Sequence, residues 1–202
     1  MKYFSKINSW VMRLILGFFV LFFGVPLPGY PALVSRAPSN LCDANQLPAY
    51  IQNRLKTDFG SWKVQTSEYL SPHAWSSWEA KKGTGCPGIS AGFLKSAQQV
   101  SYAVLLVPCS QPDAGYRFVV FNPQPENSVY EELIVEKSDI HGASNFFIQK
   151  VSASKFFDVA SKEKFQVQAT EAILMVDSAE NEYEADIFFW SRDRYRQEPV
   201  DY

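Results

Sequence analysis

The stretch Cys86–Cys109, CPGISAGFLKSAQQVSYAVLLVPC, decides the fold that we predict. Two apolar segments flank a polar, turn-like middle, and a cysteine stands at each end. If the turn is centred between residues 97 and 98, Ile89 faces Leu106 and Cys86 faces Cys109. Directly opposed residues of an antiparallel pair have Cβ atoms about 4.5–5.5 Å apart, which a small adjustment brings to disulfide distance. We therefore predict a hairpin closed by a Cys86–Cys109 disulfide, at the centre of a β-rich domain.

Within this stretch, Gly92 and the run Tyr102–Leu106 (YAVLL) follow the spacing of the pattern GDFDGDGxxDYAVLL. In this respect the chain resembles the FG-GAP and VCBS-type units of secreted bacterial proteins, whose acidic loop binds calcium between two strands. Calcium requires about six to eight oxygen ligands, usually including several carboxylates. The resemblance therefore implies a calcium-free form of the hairpin, with no metal or cofactor bound. The positions of the pattern's aspartates hold Phe93, Lys95, Ala97 and Ser101.

Length and charge restrict the class of protein. A chain of 202 residues suits one compact domain plus a targeting segment. The formal net charge is -2, and the lysines and arginines are scattered along the chain. Because nucleic-acid binders concentrate positive charge on one face, we expect no nucleic-acid partner. The aromatic content of 15% favours strands with a packed face.

The N-terminus has the features of a secretory leader. Lys2, Lys6 and Arg13 are followed by the apolar run Leu14–Val25 and then by Pro26. A membrane-spanning helix needs about 20 apolar residues, so cleavage is favoured over a permanent anchor, although an uncleaved anchor stays open. We assign residues 1–37 to the signal peptide or anchor and residues 38–202 to a single β-rich domain. The protein is then periplasmic or secreted, and it touches a membrane only through an uncleaved leader.

The segment after the leader predicts one amphipathic helix. Leu47, Ile51, Leu55 and Phe59 recur every four residues, which places them on one helix face. We interpret the segment 71–85 that follows a short strand as a loop. Its Trp75 and Trp78 either cover an open edge of the core or form a binding surface for a partner, and covering the core is the commoner arrangement. The helix and loop thus precede the central hairpin.

Alternating apolar residues and turn signals predict antiparallel strands in the rest of the chain. The predicted fold class is α+β, mainly β, with an antiparallel sheet or meander and one N-terminal amphipathic helix. The predicted strands span Tyr116–Phe121, Tyr130–Val135, Phe146–Val151, Glu171–Val176, Ala185–Trp190 and a short final strand from Tyr195.

One short motif raises the alternative of an enzyme. Gly88–Gly92 (GISAG) matches the G-x-S-x-G elbow of serine hydrolases, with Ser90 as nucleophile and His141 as its partner. That elbow requires a buried strand running into a sharp turn and a helix, and the preceding residues WEAKKGTGCP do not favour a buried strand. A zinc site is disfavoured because His73 and His141 are isolated in the sequence. No residue is assigned a catalytic role.

These observations favour an exported, non-enzymatic β-rich binding domain that acts in the bacterial periplasm or envelope. Its partner is a protein or an envelope component, and inhibitors and immunity-type proteins of this size fit the description. The alternative is a small secreted serine hydrolase that uses Ser90 and His141. The sequence itself names no partner.

Overall fold

The computed structural model describes residues 42–81, 85–124, 129–158, 164–179 and 184–201. All of them belong to one compact unit, residues 36–202. The predicted leader, residues 1–37, lies outside the described residues. Among those that are described, no helix is long and apolar enough to cross a membrane.

The first sheet is antiparallel and has five strands. Its order is β1-β3-β4-β5, and β2 pairs with β3 on the same side as β1. The hydrogen bonds of Leu105 show how the two short strands share that side. Its carbonyl accepts from Gln65 at the end of β1, and its N–H donates to Gly88 at the start of β2, each over 2.8 Å. β1 and β2 therefore form one edge strand in two halves, and the chain between them makes an excursion. The strands are β1 Trp62–Val64, β2 Ile89–Gly92, β3 Ser101–Pro108, β4 Tyr116–Pro123 and β5 Tyr130–Ser138.

The second sheet is a four-stranded antiparallel meander in the order β6-β7-β8-β9. The coarse prediction of a mainly β, antiparallel protein is confirmed, as are the strand positions predicted after Cys109. The strands are β6 Phe146–Ser152, β7 Glu171–Asp177, β8 Glu184–Ser191 and β9 Arg194–Val200.

The two sheets pack face to face, and each carries a helix on its outer face. Between the sheets Phe118 meets Phe188 edge to face, with ring centroids 4.9 Å apart. Helix α1, Ala49–Thr57, buries Ile51 against the outer face of the first sheet. Helix α2, Pro72–Ala80, lies on the outer face of the second sheet. The result is a four-layer arrangement in which a helix covers part of the outer face of each sheet.

Helix α2 corrects the prediction of a loop at residues 71–85. The Ser71 side chain accepts a hydrogen bond from the Ala74 N–H, and Pro72 occupies the first turn, where a missing N–H costs nothing. Trp78 is only 4% exposed and Trp75 packs partly against the same core. Trp78 therefore covers the core, the commoner of the two arrangements considered for these indoles, and the alternative of a binding surface is wrong for Trp78.

The predicted hairpin register is also wrong, and with it the Cys86–Cys109 disulfide. Ile89 pairs with Val104 rather than with Leu106, a shift of two residues. The position opposite Cys109 is taken by the start of β1, since the Cys109 N–H donates to the Ser61 carbonyl over 2.9 Å. Cys109 is free and exposed. Cys86 instead bonds to Cys42, with a Cα–Cα distance of 4.9 Å.

Candidate binding site

A cavity of about 500 Å³ lies beside β1, and we call it the β1 groove. One wall is built by residues 42–45 together with Gln52, Leu55 and Lys56 of α1. Leu106 of β3 also lines the cavity, together with Thr66, Glu68 and Tyr69. Gly60 and all three residues of β1 also line the groove. A mainly apolar cavity with a few polar groups is the usual form of a binding site.

The groove extends off the edge of the first sheet, because residues from both faces of the sheet line it. Trp62 and Val64 belong to the core under α1. Tyr69 packs against the core between the two sheets, and the Lys63 ammonium lies 3.9 Å from the centre of the Tyr69 ring. A site on one face of a sheet would collect residues of one face only. The β1 groove is therefore a lateral site along a strand edge.

The backbone of β1 also has hydrogen-bonding groups that are directed away from β3. Gln65 donates to Leu105, and Ser61 accepts from Cys109, so odd-numbered residues of this segment bond to β3. In an antiparallel pair the alternate residues direct their N–H and C=O groups the other way. For Trp62 the N–H is used by the Phe59 carbonyl at 2.8 Å. Within the described part of the chain, no residue bonds to the outward N–H or C=O of Val64.

Trp62 is held in place by Arg117 of β4. The guanidinium carbon lies 4.4 Å from the centre of the indole ring, which makes a cation–π contact. Arg117 is itself fixed by hydrogen bonds to the carbonyls of Tyr116 and Ser138, at 2.8 and 3.0 Å, and by an ion pair with Asp139. A side chain restrained in this way loses little entropy when a ligand binds against it.

The ionised groups of the groove balance one another. Asp43 and Glu68 contribute two acids, while Lys56 and Lys63 contribute two bases. A hydrogen bond from the Asn45 N–H to the Asp43 carboxylate, 2.9 Å long, lowers the pKa of Asp43. The carboxylate is thus charged at neutral pH, and the lining carries no net charge.

The Cys42–Cys86 disulfide positions the N-terminal wall. Cys42 lines the groove, and Cys86 lies buried just before the start of β2. The bond therefore fastens residues 42–45 to the point where the excursion returns to the first sheet. The sequence predicts a Cys86–Cys109 disulfide, and that pairing would not attach residues 42–45 to the first sheet. The prediction therefore gives no indication of this wall or of the groove.

The hydrolase alternative lacks the elbow that it requires. Ser90 is the second residue of β2 and pairs with Ala103, so it lies within a strand and not at a strand-to-helix turn. His141 is exposed in the turn after β5, where its N–H donates to the Ser138 hydroxyl over 2.9 Å. The next residue, Gly142, touches Asp113 beyond the far end of β3. About 17 Å of β3 separates Ala103 from that end, so the fold does not bring Ser90 and His141 together.

Two polar clusters lie between the sheets, away from the groove. The Tyr195 hydroxyl donates to Asn122 Oδ1 over 2.8 Å, and the Ser101 hydroxyl donates to the same oxygen over 2.8 Å. Tyr116 donates to Glu136 over 3.2 Å, and burial raises the pKa of both side chains. No group of three or more His, Cys, Asp or Glu side chains in the described ranges is arranged to hold a metal ion. The Tyr195–Asn122 hydrogen bond joins the two sheets, whereas Tyr116 and Glu136 lie on neighbouring strands of the first sheet.

Comparison of the chain with protein-family models, with curated proteins and with solved structures finds no match in any of the three.

Proposed function

We propose that the chain is an exported, non-enzymatic binding domain of the bacterial periplasm or envelope, and that the β1 groove is its binding site. The partner is a protein or an envelope component. Inhibitors and immunity-type proteins bind partners of this kind. The observation that carries this proposal is the groove itself, about 500 Å³ in volume and lined by a restrained Trp62. Apolar walls supply affinity on binding, and a few fixed polar groups supply orientation.

The arrangement of the groove suits reversible binding. Trp62 offers a rigid aromatic surface, and aromatic side chains held by neighbours are common anchors of protein interfaces. Around it, the disulfide and the Arg117 contacts hold the walls before a ligand arrives. Preorganised walls cost little ordering entropy, so most of the contact energy remains available for affinity.

Site-specific photo-crosslinking in a bacterium that expresses the protein tests this proposal, because it captures a ligand of any identity. A benzophenone amino acid replaces Lys56, which is exposed on the rim of the groove. In a second strain it replaces Lys137, which is on β5. We expect a discrete adduct from position 56 and none from position 137, and mass spectrometry then identifies the adduct.

A variant that fills the groove provides the matched control. Leu55→Trp places a larger side chain in the wall and should abolish the adduct from position 56 while the protein still accumulates. Absence of any adduct from position 56, or equal adducts from positions 56 and 137, would show that the groove is not the binding site.

A further inference from the structure

We infer that the occupant of the β1 groove is an extended, uncharged segment of a partner protein, which adds to the first sheet as an extra strand beside β1. This inference rests on the proposed function and specifies the ligand of the same site. It depends on three features of the groove: a backbone edge, walls on both sides of that edge, and a balanced charge.

The backbone edge supplies the hydrogen bonds. Val64 directs its N–H and C=O away from β3, and no partner for either group is found in the described parts of the chain. Edge strands with such groups bind extended peptides through main-chain hydrogen bonds. β1 itself has three residues, Trp62–Val64, a length of about 7–10 Å at the rise of a strand. A peptide segment of about three residues would pair with it.

The walls on both sides of the edge supply the side-chain contacts. Successive side chains of a strand point to opposite faces of the sheet, so an added strand would direct alternate residues to the two walls. One set would meet Leu55, Trp62 and Leu106 under α1. The other set would meet Tyr69, with Lys63 above its ring. A ligand that is not extended would not use both walls and the edge at once.

The charge of the lining selects against strongly charged segments. Asp43 and Glu68 balance Lys56 and Lys63, so neither a basic nor an acidic peptide gains a net electrostatic attraction. Leu55, Trp62 and Leu106 favour apolar side chains at alternate positions of the bound segment. The chemistry of the partner segment is therefore uncharged, extended and apolar on one side.

Selection from a library of uncharged synthetic heptapeptides, with the oxidised exported protein immobilised, provides the probe. For the best peptide, hydrogen exchange at single amides is compared with and without peptide. We expect exchange of the Val64 amide to slow by about tenfold or more, because a new hydrogen bond covers it. The Lys63 amide, which already faces β3, should change little.

Matched variants separate the backbone contact from the packing of the side chain. Val64→Pro removes the outward N–H, and proline is tolerated in an edge strand where the N–H does not serve the sheet. Both substitutions remove the buried valine side chain, but Val64→Ala keeps the N–H. We expect Val64→Pro to weaken peptide binding about tenfold and Val64→Ala about threefold or less. A peptide N-methylated at the paired amides should bind the unaltered protein about tenfold or more weakly. Because this comparison changes only the peptide, it does not depend on how the Val64 variants fold.

The outcomes distinguish this inference from the proposed function. Peptides that bind without slowing Val64 exchange, or that bind the Leu55→Trp variant equally well, would overturn the added strand. A photo-adduct from position 56 that proves to be an oligosaccharide or a lipid would overturn it as well, while the groove would remain a binding site. Absence of any adduct would remove the proposed function and the inference together.

Discussion

Gly88 lies so close to Gln65 that a Cβ atom at residue 88 would stand 2.3 Å from the Gln65 carbonyl oxygen. This is the point where β1 leaves the edge of β3 and β2 replaces it. The chain departs after Gln65, carries α2 to the outer face of the second sheet and returns through Cys86. The edge of the first sheet therefore requires the backbone at Gln65 and Gly88 to approach closely, which is possible because residue 88 has no side chain.

Gly88→Ala should destabilise the fold by about 2 kcal/mol or more, because the new methyl group meets backbone atoms that are fixed by hydrogen bonds. The matched control is Gly85→Ala, since no atom of the residues that the structure describes lies within 4 Å of a Cβ at that position. Its effect should stay within about 0.5 kcal/mol. Urea unfolding of the two variants and the parent protein checks this. Equal costs for both substitutions would show that the close approach of Gly88 and Gln65 is absent in solution.

Tyr195 should make stability fall at alkaline pH. Burial raises the pKa of Tyr195, and its hydroxyl donates to Asn122. Above pH 10 the unfolded chain loses this proton while the folded protein keeps it. The contribution of Tyr195 to the free energy of unfolding is therefore complete below pH 10 and decreases as the pH rises above it. The loss approaches about 1.4 kcal/mol per pH unit. The negative charge of Glu131 raises the pKa of Tyr195 further.

Tyr195→Phe should cost about 1 kcal/mol at pH 7, because the hydrogen bond to Asn122 is lost. Between about pH 10 and 11.5, unfolding free energies should then decline less steeply for the variant than for the parent protein. Tyr116 contributes a similar decline in both, since burial also raises its pKa. Parallel curves for variant and parent over this range would contradict the assignment to Tyr195.

Arg117→Lys should loosen the indole of Trp62. Lysine cannot reproduce the planar contact with the ring or the two hydrogen bonds to the carbonyls of Tyr116 and Ser138. We expect a loss of stability of about 1–2 kcal/mol and a weaker adduct from the photo-crosslinker at position 56. Arg194→Lys, at an exposed site on β9, is the control. A full adduct with the Arg117 variant would show that Trp62 needs no support.

Local signals in the sequence are sufficient for the strands after Cys109. Most of those strands pair with a neighbour in sequence, so alternation and turn residues predict both position and pairing. β1 and β2 are different, because their shared edge depends on contacts between Gln65 and Gly88 across an excursion of the chain. The hairpin around residues 97 and 98 is symmetric in sequence, but β1 occupies the place that the symmetry requires for Cys86.

Helix α2 and the β1 groove show two further limits of local sequence signals. A signal for α2 is present, since Ser71 and Pro72 form a common start of a helix, but the two tryptophans and the following Lys-Lys-Gly favour a loop by composition. The groove has no local signal. Its walls come from segments far apart in the chain, and one of them is fastened by a disulfide that spans 44 residues.

The disulfide gives the last prediction, because it connects the fold with the groove. Cys42→Ser should cost about 4 kcal/mol, the chain-entropy value for a loop of this length. It should also release the wall at residues 42–45 and so reduce the adduct from position 56. Cys109→Ser changes an exposed thiol and should alter stability by no more than about 0.5 kcal/mol. Unfolding under non-reducing conditions measures both variants, and peptide mapping of the parent protein should recover Cys42 linked to Cys86. Recovery of Cys86 linked to Cys109, together with a large loss of stability in Cys109→Ser, would contradict this prediction. The symmetric hairpin would then be correct, and the groove would lack its wall at residues 42–45.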